Sequence, residues 1–118
     1  MIKFLEPIDL KTTRHDSNFA TVSTTSSTVV YSVSTSDFSA AKITILVVSG
    51  DFKTIRELLA LHDEANGYIT EYAVLSAPLP SALDDDVFSA DVSGGNFQLS
   101  ITPSTSASRS VRIDVTLL

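Results

Sequence analysis

Apolar and polar residues alternate with a period of two along the last third of the chain. Residues 88–92, 97–101 and 111–117 each place apolar side chains at every second position. Because successive side chains of a strand point to opposite faces, each stretch predicts a strand with one apolar and one polar face. Ser93-Gly94-Gly95 predicts a turn after the first strand, and Pro103 ends the second because it has no N–H to donate. The pattern predicts a three-stranded meander whose apolar face needs a second layer.

The same alternation runs through the earlier part of the chain. Residues 19–22 and 29–33 predict two short strands joined by a polar turn, at the spacing of a β-hairpin. Residues 40–49 predict the longest strand, and its end is apolar on both faces, which is typical of a central strand or of one that meets a partner. Residues 68–75 are rich in β-branched and aromatic side chains and predict a further strand.

Residues 54–66 carry signals for both a helix and a strand. The sequence TIRE at 54–57 has the form of a helix capping box, and the apolar positions that follow it lie at helical spacing. Asn66-Gly67 would end a helix, but it would equally form the turn of a hairpin. The neighbouring segments alternate with period two at the intervals of a β-sandwich. Local signals therefore favour a helix, and the surrounding pattern favours a strand.

Together these elements predict an all-β fold. The expected architecture is a single antiparallel β-sandwich, jelly-roll or immunoglobulin-like, with about seven or eight strands. A chain of 118 residues has the size of one domain. We divide it into an N-terminal arm, residues 1–16, and a sandwich domain, residues 17–118. The residues expected to form the core are Phe19, Ile43, Ile45, Leu59, Phe88, Val92, Phe97, Leu99, Ile101, Val111 and Ile113.

Composition narrows the classes of partner. The net charge is −6, and the eight Lys and Arg residues are spread along the chain, which argues against nucleic acid as a partner. The apolar runs are too short to cross a bilayer and the N-terminal residues lack a signal-peptide pattern, so we expect no membrane partner and folding in a cytoplasm. Without cysteine, neither a disulfide nor a thiolate metal site can form. Ser and Thr make up about a quarter of the residues, which suits the polar faces of strands.

Groups with catalytic or metal-binding chemistry are few. His15 and His62 are the possible bases of a nucleophilic triad, and neither lies near a nucleophile motif. Asp84, Asp85 and Asp86 could hold a hard cation, but adjacent side chains of an extended chain cannot all face one ion. We therefore predict no catalytic residue, no metal site and no cofactor, and a protein that is not an enzyme.

Aromatic side chains offer one alternative binding function. Tyr31, Tyr68 and Tyr72 could form a platform on which sugar rings stack, as in a carbohydrate-binding module. The chain has no tryptophan, and the three tyrosines lie on segments that need them for packing. A carbohydrate-binding module is therefore the weaker hypothesis.

Two regions are candidates for contacts with other proteins. The arm carries many apolar side chains for a segment left in water: Ile2, Phe4, Leu5, Ile8 and Leu10. We expect them to pack on a partner or on a neighbouring subunit, with a closed ring of three as the favoured homo-oligomer. Residues 77–86 combine prolines with consecutive aspartates and predict an exposed loop. Its candidate contacts are Leu79, Leu83, Asp84, Asp85 and Asp86.

Several short stretches, taken in order, resemble a known family. They are AKITI at 41–45, ELLALHD at 57–63, ITEY at 69–72, ADVSGGNFQL at 90–99 and ITP at 101–103. Their order and spacing resemble a domain of virion structural proteins of tailed phages, especially marine and cyanobacterial ones. The resemblance covers residues 37–118, and it departs at Glu64, where that family has a glycine.

The resemblance implies β-structure for residues 54–63 and a role inside a phage particle. Because the chain has no heptads or repeats from which a fibre could be built, we expect a capsid decoration or cement protein. Such a protein binds the major capsid protein or other virion proteins and stabilises the shell. A structural protein of the tail, the neck or a fibre is the alternative. The expected localisation is the virion, after synthesis in the host cytoplasm.

Overall fold

The structure, a computed structural model, describes residues 14–78 and 82–118. Most of these residues lie in eight strands. The strands are β1 (Arg14–Val22), β2 (Thr28–Ser34), β3 (Ala40–Ser49), β4 (Phe52–His62), β5 (Gly67–Ala77), β6 (Val87–Ser93), β7 (Asn96–Thr102) and β8 (Arg109–Leu117). Short 3-10 helices, Thr35–Asp37 and Ala82–Asp85, precede β3 and β6. Within the two described stretches, no helix has the length and hydropathy that a membrane span requires.

The strands form two antiparallel sheets that pack face to face. The five-stranded sheet has the order β1-β8-β3-β4-β5, and the three-stranded sheet has the order β2-β7-β6. The predicted all-β fold and antiparallel sandwich are confirmed. The stretch with mixed signals is strand β4, which pairs with β3 on one side and with β5 on the other. Two ladders of backbone hydrogen bonds override the local helix signals there.

Two pairings predicted from the sequence are wrong. β1 and β2 do not form a hairpin, because β1 pairs with β8 in the five-stranded sheet and β2 pairs with β7 in the other. The meander is also interrupted, since β6 pairs with β7 but β8 lies between β1 and β3. A period of two shows that one face of a strand is apolar, but not which sheet supplies its neighbours. The polar segments at 23–27 and 103–108 cross between layers that lie about 10 Å apart.

The core lies between the two sheets. Most residues predicted for it are buried: Ile43, Ile45, Phe88, Phe97, Leu99, Ile101, Val111 and Ile113. Phe19 and Leu59 are instead 56% and 45% exposed, and Val92 is half-buried on an edge strand. On β1 the inward residues are the even-numbered ones, which end at buried Val22, so Phe19 points away from the core.

The segment before β6 is not an open loop throughout. Leu83 and Asp86 are buried, so the prediction that both are exposed contacts is wrong. The Arg56 guanidinium fixes them, because it donates hydrogen bonds to the carbonyl oxygens of Leu83 at 2.6 Å and of Asp86 at 2.8 Å. Asp84 and Asp85 are exposed. Leu79 lies outside the described residues.

The same region contains a buried ion pair. Arg109 Nε lies 2.8 Å from Asp86 Oδ2, and the two side chains are 1% and 0% exposed. Asp86 Oδ1 accepts hydrogen bonds from the backbone N–H and from the hydroxyl of Ser104. Buried charges persist only where they are paired and hydrogen-bonded, and here both conditions are met. Asp86 therefore belongs to the folded core rather than to a solvated acidic loop.

The last residues of the predicted arm lie in a strand. β1 spans Arg14–Val22, and Arg14 pairs with Leu117, so the predicted division at residue 16 falls within β1. The predicted arm contacts all lie in residues 1–13, outside the described residues. They are Ile2, Phe4, Leu5, Ile8 and Leu10.

Candidate binding surface

The three-stranded sheet covers one side of the five-stranded sheet, and no other described residues cover the opposite side. We call this open side the outer face. It consists of alternate residues of each strand: His15, Ser17, Phe19 and Thr21 of β1, Ser110, Arg112, Asp114 and Thr116 of β8, Ala40, Lys42, Thr44, Leu46 and Val48 of β3, Lys53, Ile55, Glu57, Leu59 and Leu61 of β4, and Tyr68, Thr70, Ala73 and Leu75 of β5.

One cross-strand row of the outer face spans the whole sheet. Phe19, Arg112, Leu46, Ile55 and Leu75 are successive neighbours from β1 to β5. The Arg112 guanidinium carbon lies 5.5 Å from the centre of the Phe19 ring, which is a cation–π distance. At about 4.8 Å per strand, the row is about 19 Å long. The row is thus an apolar band with one cation near its β1 end.

A second apolar group lies at the end of the face where β4 turns into β5. Leu61 pairs with Tyr68, and Leu59 lies one row further along β4. Across the whole outer face, six large apolar side chains are between 40% and 71% exposed: Phe19, Ile55, Leu59, Leu61, Tyr68 and Leu75. Clusters of exposed apolar side chains mark sites where proteins meet a partner.

The inner face of β4 carries polar as well as apolar residues. β4 buries Thr54 and Arg56 beside Leu58 and Ala60. The Thr54 hydroxyl lies 2.9 Å from the Ser76 hydroxyl, so this polar group is satisfied inside the sheet. The Arg56 guanidinium stacks on the Phe88 ring at 5.2 Å and lies 3.4 Å from Glu71 Oε1. With polar groups paired on the inner face, the alternation of β4 sends Ile55, Leu59 and Leu61 to the outer face.

Charged residues of both signs separate the two apolar groups. Asp114 and Glu57 lie in the row next to the apolar band, and Lys42 lies in the row beyond it. The cross-strand neighbours of Lys42 are Thr116 and Leu59, neither of which is acidic. A partner of this face therefore has to combine apolar side chains with charge of both signs.

The β4–β5 turn holds Tyr68 in position on the face. The Tyr68 hydroxyl donates a hydrogen bond to Asp63 Oδ2 at 3.1 Å. Asp63 Oδ1 accepts from the backbone N–H groups of Asn66 at 2.7 Å and Ala65 at 3.0 Å. These backbone bonds are the main cause that lowers the pKa of Asp63, and its carboxylate in turn raises the pKa of Tyr68. A charged Asp63 thus anchors the turn and the tyrosine together.

β5 is an edge strand, and its residues beyond Thr70 are largely exposed. Residues 71–75 are exposed on both faces, because the three-stranded sheet does not extend over them. A β-bulge interrupts the ladder where Glu57 and Leu58 pair with Ala73 and Glu71. Bulges of this kind reduce the tendency of an edge to pair with foreign strands. The apolar surface of the outer face reaches this edge of the sheet at Leu75.

The groups considered for catalysis have other roles. His62 Nδ1 accepts from the backbone N–H of Glu64 at 3.0 Å, so its Nε2–H donates to the carbonyl of Phe38 at 2.7 Å. His15 is exposed and lies 3.4 Å from the Thr116 hydroxyl. Among the residues of 14–78 and 82–118, no cluster of three His, Asp or Glu side chains could hold a metal ion.

The three tyrosines do not form one platform. Tyr31 is buried, and its hydroxyl donates to Asp16 at 2.6 Å. Burial and this hydrogen bond raise the pKa of Tyr31. Tyr68 and Tyr72 are exposed on β5. The predicted stacking surface of three rings is therefore not formed.

Sequence reasoning missed the outer face because it assigned Phe19 and Leu59 to the core. One signal could have revealed it, namely the unbroken apolar run LLAL at 58–61. Such a run supplies apolar side chains to both faces of a strand, so one of the two faces needs a cover other than the strand's own core.

Comparisons with known proteins show a shared fold. No protein-family model and no curated protein matches the chain. Among solved structures, the chain is similar to the tailspike protein of Acinetobacter baumannii phage AM24, with a TM-score of 0.58 and 8% identity over 91% of this chain. The tailspike protein of Acinetobacter phage vB_ApiP_P1 gives a TM-score of 0.47 and 12% identity over 96% of this chain. This chain spans 26% and 23% of the lengths of those two chains. The first similarity shows that the sandwich has the same fold as part of a much longer phage protein.

Proposed function

We propose that this chain is a structural domain of a phage virion and that it works in the tail, as part of a spike or fibre. The observation that carries this proposal is the outer face, where large apolar side chains lie open on a sheet whose other side is already packed. In an isolated domain the apolar side chains of such a face stay in contact with water, whereas a subunit of an assembly buries them.

The fold supports the tail rather than the capsid surface. The chain shares its fold with part of a phage AM24 tailspike, and it corresponds to 26% of that protein's length. The resemblance to virion structural proteins of tailed phages points to the same kind of particle. Capsid decoration, the first expectation from the sequence, has no comparable support, so the tail alternative replaces it as the proposal.

In this proposal the domain binds other virion proteins and is not itself an enzyme. Several copies assemble, with a ring of three favoured, because a closed ring buries the same surface on every copy. The mixed charge of the outer face then sets the register between neighbours, while its apolar side chains supply most of the favourable free energy.

Labelling of purified phage tests the location. An antibody raised against the domain, coupled to gold, is applied to intact particles, and the copy number is measured by quantitative mass spectrometry. We expect gold at the tail and a few to a few dozen copies per particle. An antibody to the major capsid protein serves as the control for head labelling. Hundreds of copies on the head would restore capsid decoration, and absence from the particle would refute a virion role.

A further inference from the structure

We propose that the outer face of the five-stranded sheet binds residues 2–10 of a second copy of this chain. The inference rests on the proposed function, since it requires several copies in one assembly. It goes further by naming which part of the chain covers the apolar face. Residues 2–10 lie outside the described residues, and the proposal rests on their sequence and on the position at which the chain enters β1.

The side chains of this segment match the outer face in character. In an extended conformation its even-numbered residues point to one side, and these are Ile2, Phe4, Glu6, Ile8 and Leu10. That side is apolar at both ends with one acidic group in the middle. The outer face has apolar side chains near Leu61 and near Ile55, and between them lie the row of Lys42 and the row of Asp114 and Glu57.

Lys42 is the group that Glu6 would meet. Lys42 is exposed, and its two cross-strand neighbours on the outer face, Thr116 and Leu59, carry no negative charge. A carboxylate placed beside Lys42 is attracted to its ammonium group, and repulsion from Asp114 and Glu57, one row nearer to Ile55, favours the side of Lys42 that faces Leu61. The apolar ends of the segment then lie against the apolar groups on either side.

The direction of β1 favours binding of residues 2–10 to the outer face of a second copy rather than to that of their own chain. Arg14 lies in one cross-strand row with Leu117, Ala41, Ala60 and Ile69. The chain thus enters β1 at the end of the sheet that carries Leu61 and Tyr68. To lie on its own face it would have to reverse within residues 11–13, which contain neither glycine nor proline. Continued without reversal, 13 residues reach up to about 43 Å, which is far enough to meet a neighbouring copy.

Disulfide trapping tests the contact, because the chain has no cysteine of its own. Chains with Ile8→Cys and chains with Leu61→Cys, carrying different affinity tags, are produced together and oxidised gently. We expect a disulfide between the two differently tagged chains. The matched control replaces Leu61→Cys by Val87→Cys, since Val87 is 57% exposed but lies on β6 in the other sheet. The yield with Leu61→Cys should exceed the control yield at least tenfold.

A double variant separates the two sources of the segment. If a chain with both Ile8→Cys and Leu61→Cys forms its disulfide internally and runs as a monomer, the segment covers its own face and the proposal is wrong. Equal yields with Leu61→Cys and Val87→Cys would refute it as well. These measurements use purified protein, so their failure would leave the tail location untouched, and a failure of gold labelling would leave the contact between copies standing.

A second measurement does not depend on trapping. In the full chain, Leu61→Glu places a charge in the apolar group at one end of the proposed contact, and we expect sedimentation velocity to show a shift from oligomer to monomer. Val87→Glu should leave the oligomer unchanged. Circular dichroism checks that both variants keep the fold. A folded Leu61→Glu chain that stays oligomeric contradicts the proposal.

Discussion

Asp86 and Arg109 place a charge pair in the core at a point where the chain has the sequence of a solvated loop. Asp86→Asn conserves volume but leaves the Arg109 guanidinium without its counterion. Because an unpaired buried charge is strongly unfavourable, we expect the free energy of unfolding to fall by about 3–5 kcal/mol in urea denaturation at neutral pH. Asp85→Asn is the matched control on an exposed neighbour, with an expected change of about 0.5 kcal/mol or less. Similar small effects at both positions would mean that water reaches the pair.

Asp16 couples the stability of the fold to pH. Hydrogen bonds from Arg14 and from the Tyr31 hydroxyl hold the pKa of Asp16 below its ordinary value of 3.8. A carboxyl with a lowered folded pKa stabilises the fold above its unfolded pKa, and that contribution is lost as the pH falls through the folded value. We expect Asp16→Asn to cost about 1 kcal/mol at neutral pH. In urea denaturation, the difference from the unchanged chain should shrink steadily once the pH falls below the ordinary value. If Asp16→Asn still lowers the free energy of unfolding in acid, the loss comes from disturbed packing around the new amide.

At the scale of elements, the sequence predicts strands well and their neighbours poorly. The alternation located β3, β6, β7 and β8 because each packs one face against the core, and β-branched and aromatic residues located β5. It did not reveal that β2 and β8 cross to the opposite sheet from their predecessors, since the crossing segments have the same polar composition as hairpin turns. The alternation also did not show which residues of β4 face the core. A buried arginine and a buried threonine replaced the expected apolar residues on its inner face.

Among the described residues, the non-glycine residue with a positive φ lies in the β4–β5 turn. Glu64 has a φ of 70°, in the left-handed region where a side chain costs about 1–2 kcal/mol. Glu64→Gly removes that cost but adds freedom to the unfolded chain, so we expect a net gain of about 0.5–1 kcal/mol in the free energy of unfolding. Thermal denaturation followed by circular dichroism measures it. A loss of stability would show that the side chain makes a contact worth more than the strain.

At Gly67, the first residue of β5, replacement of glycine by a larger residue is expected to destabilise the fold. A Cβ on Gly67 would lie 3.0 Å from Phe97 Cε2 and 3.2 Å from the backbone carbon of Asp91. Because this contact joins the two sheets, we expect Gly67→Ala to lower the free energy of unfolding by about 1–3 kcal/mol. Urea denaturation measures the loss, and an unchanged midpoint would mean that the Phe97 ring moves aside without cost.

For the whole molecule, the described residues alone supply a closed core between the sheets. Deleting residues 2–13 should therefore leave the thermal melt of the domain nearly unchanged at low protein concentration, while self-association is lost. Calorimetry and sedimentation on the same samples measure the two effects. If the deletion unfolds the domain, the segment is a core strand instead. The sequence analysis predicted contact through this segment but not the outer face, because it assigned Phe19 of β1 and Leu59 of β4 to the core.

The position of β8 between β1 and β3 sets the order in which the chain can fold during translation. β1 leaves the ribosome early, yet its partner strand is β8, which emerges only after all the other strands. Contacts between segments so distant along the chain form slowly, in about milliseconds to seconds. Throughout that interval a nascent chain presents an unpaired β1 and an incomplete sheet to its siblings on the same polysome. Chaperone occupancy during synthesis should therefore persist until residues 109–117 have left the exit tunnel.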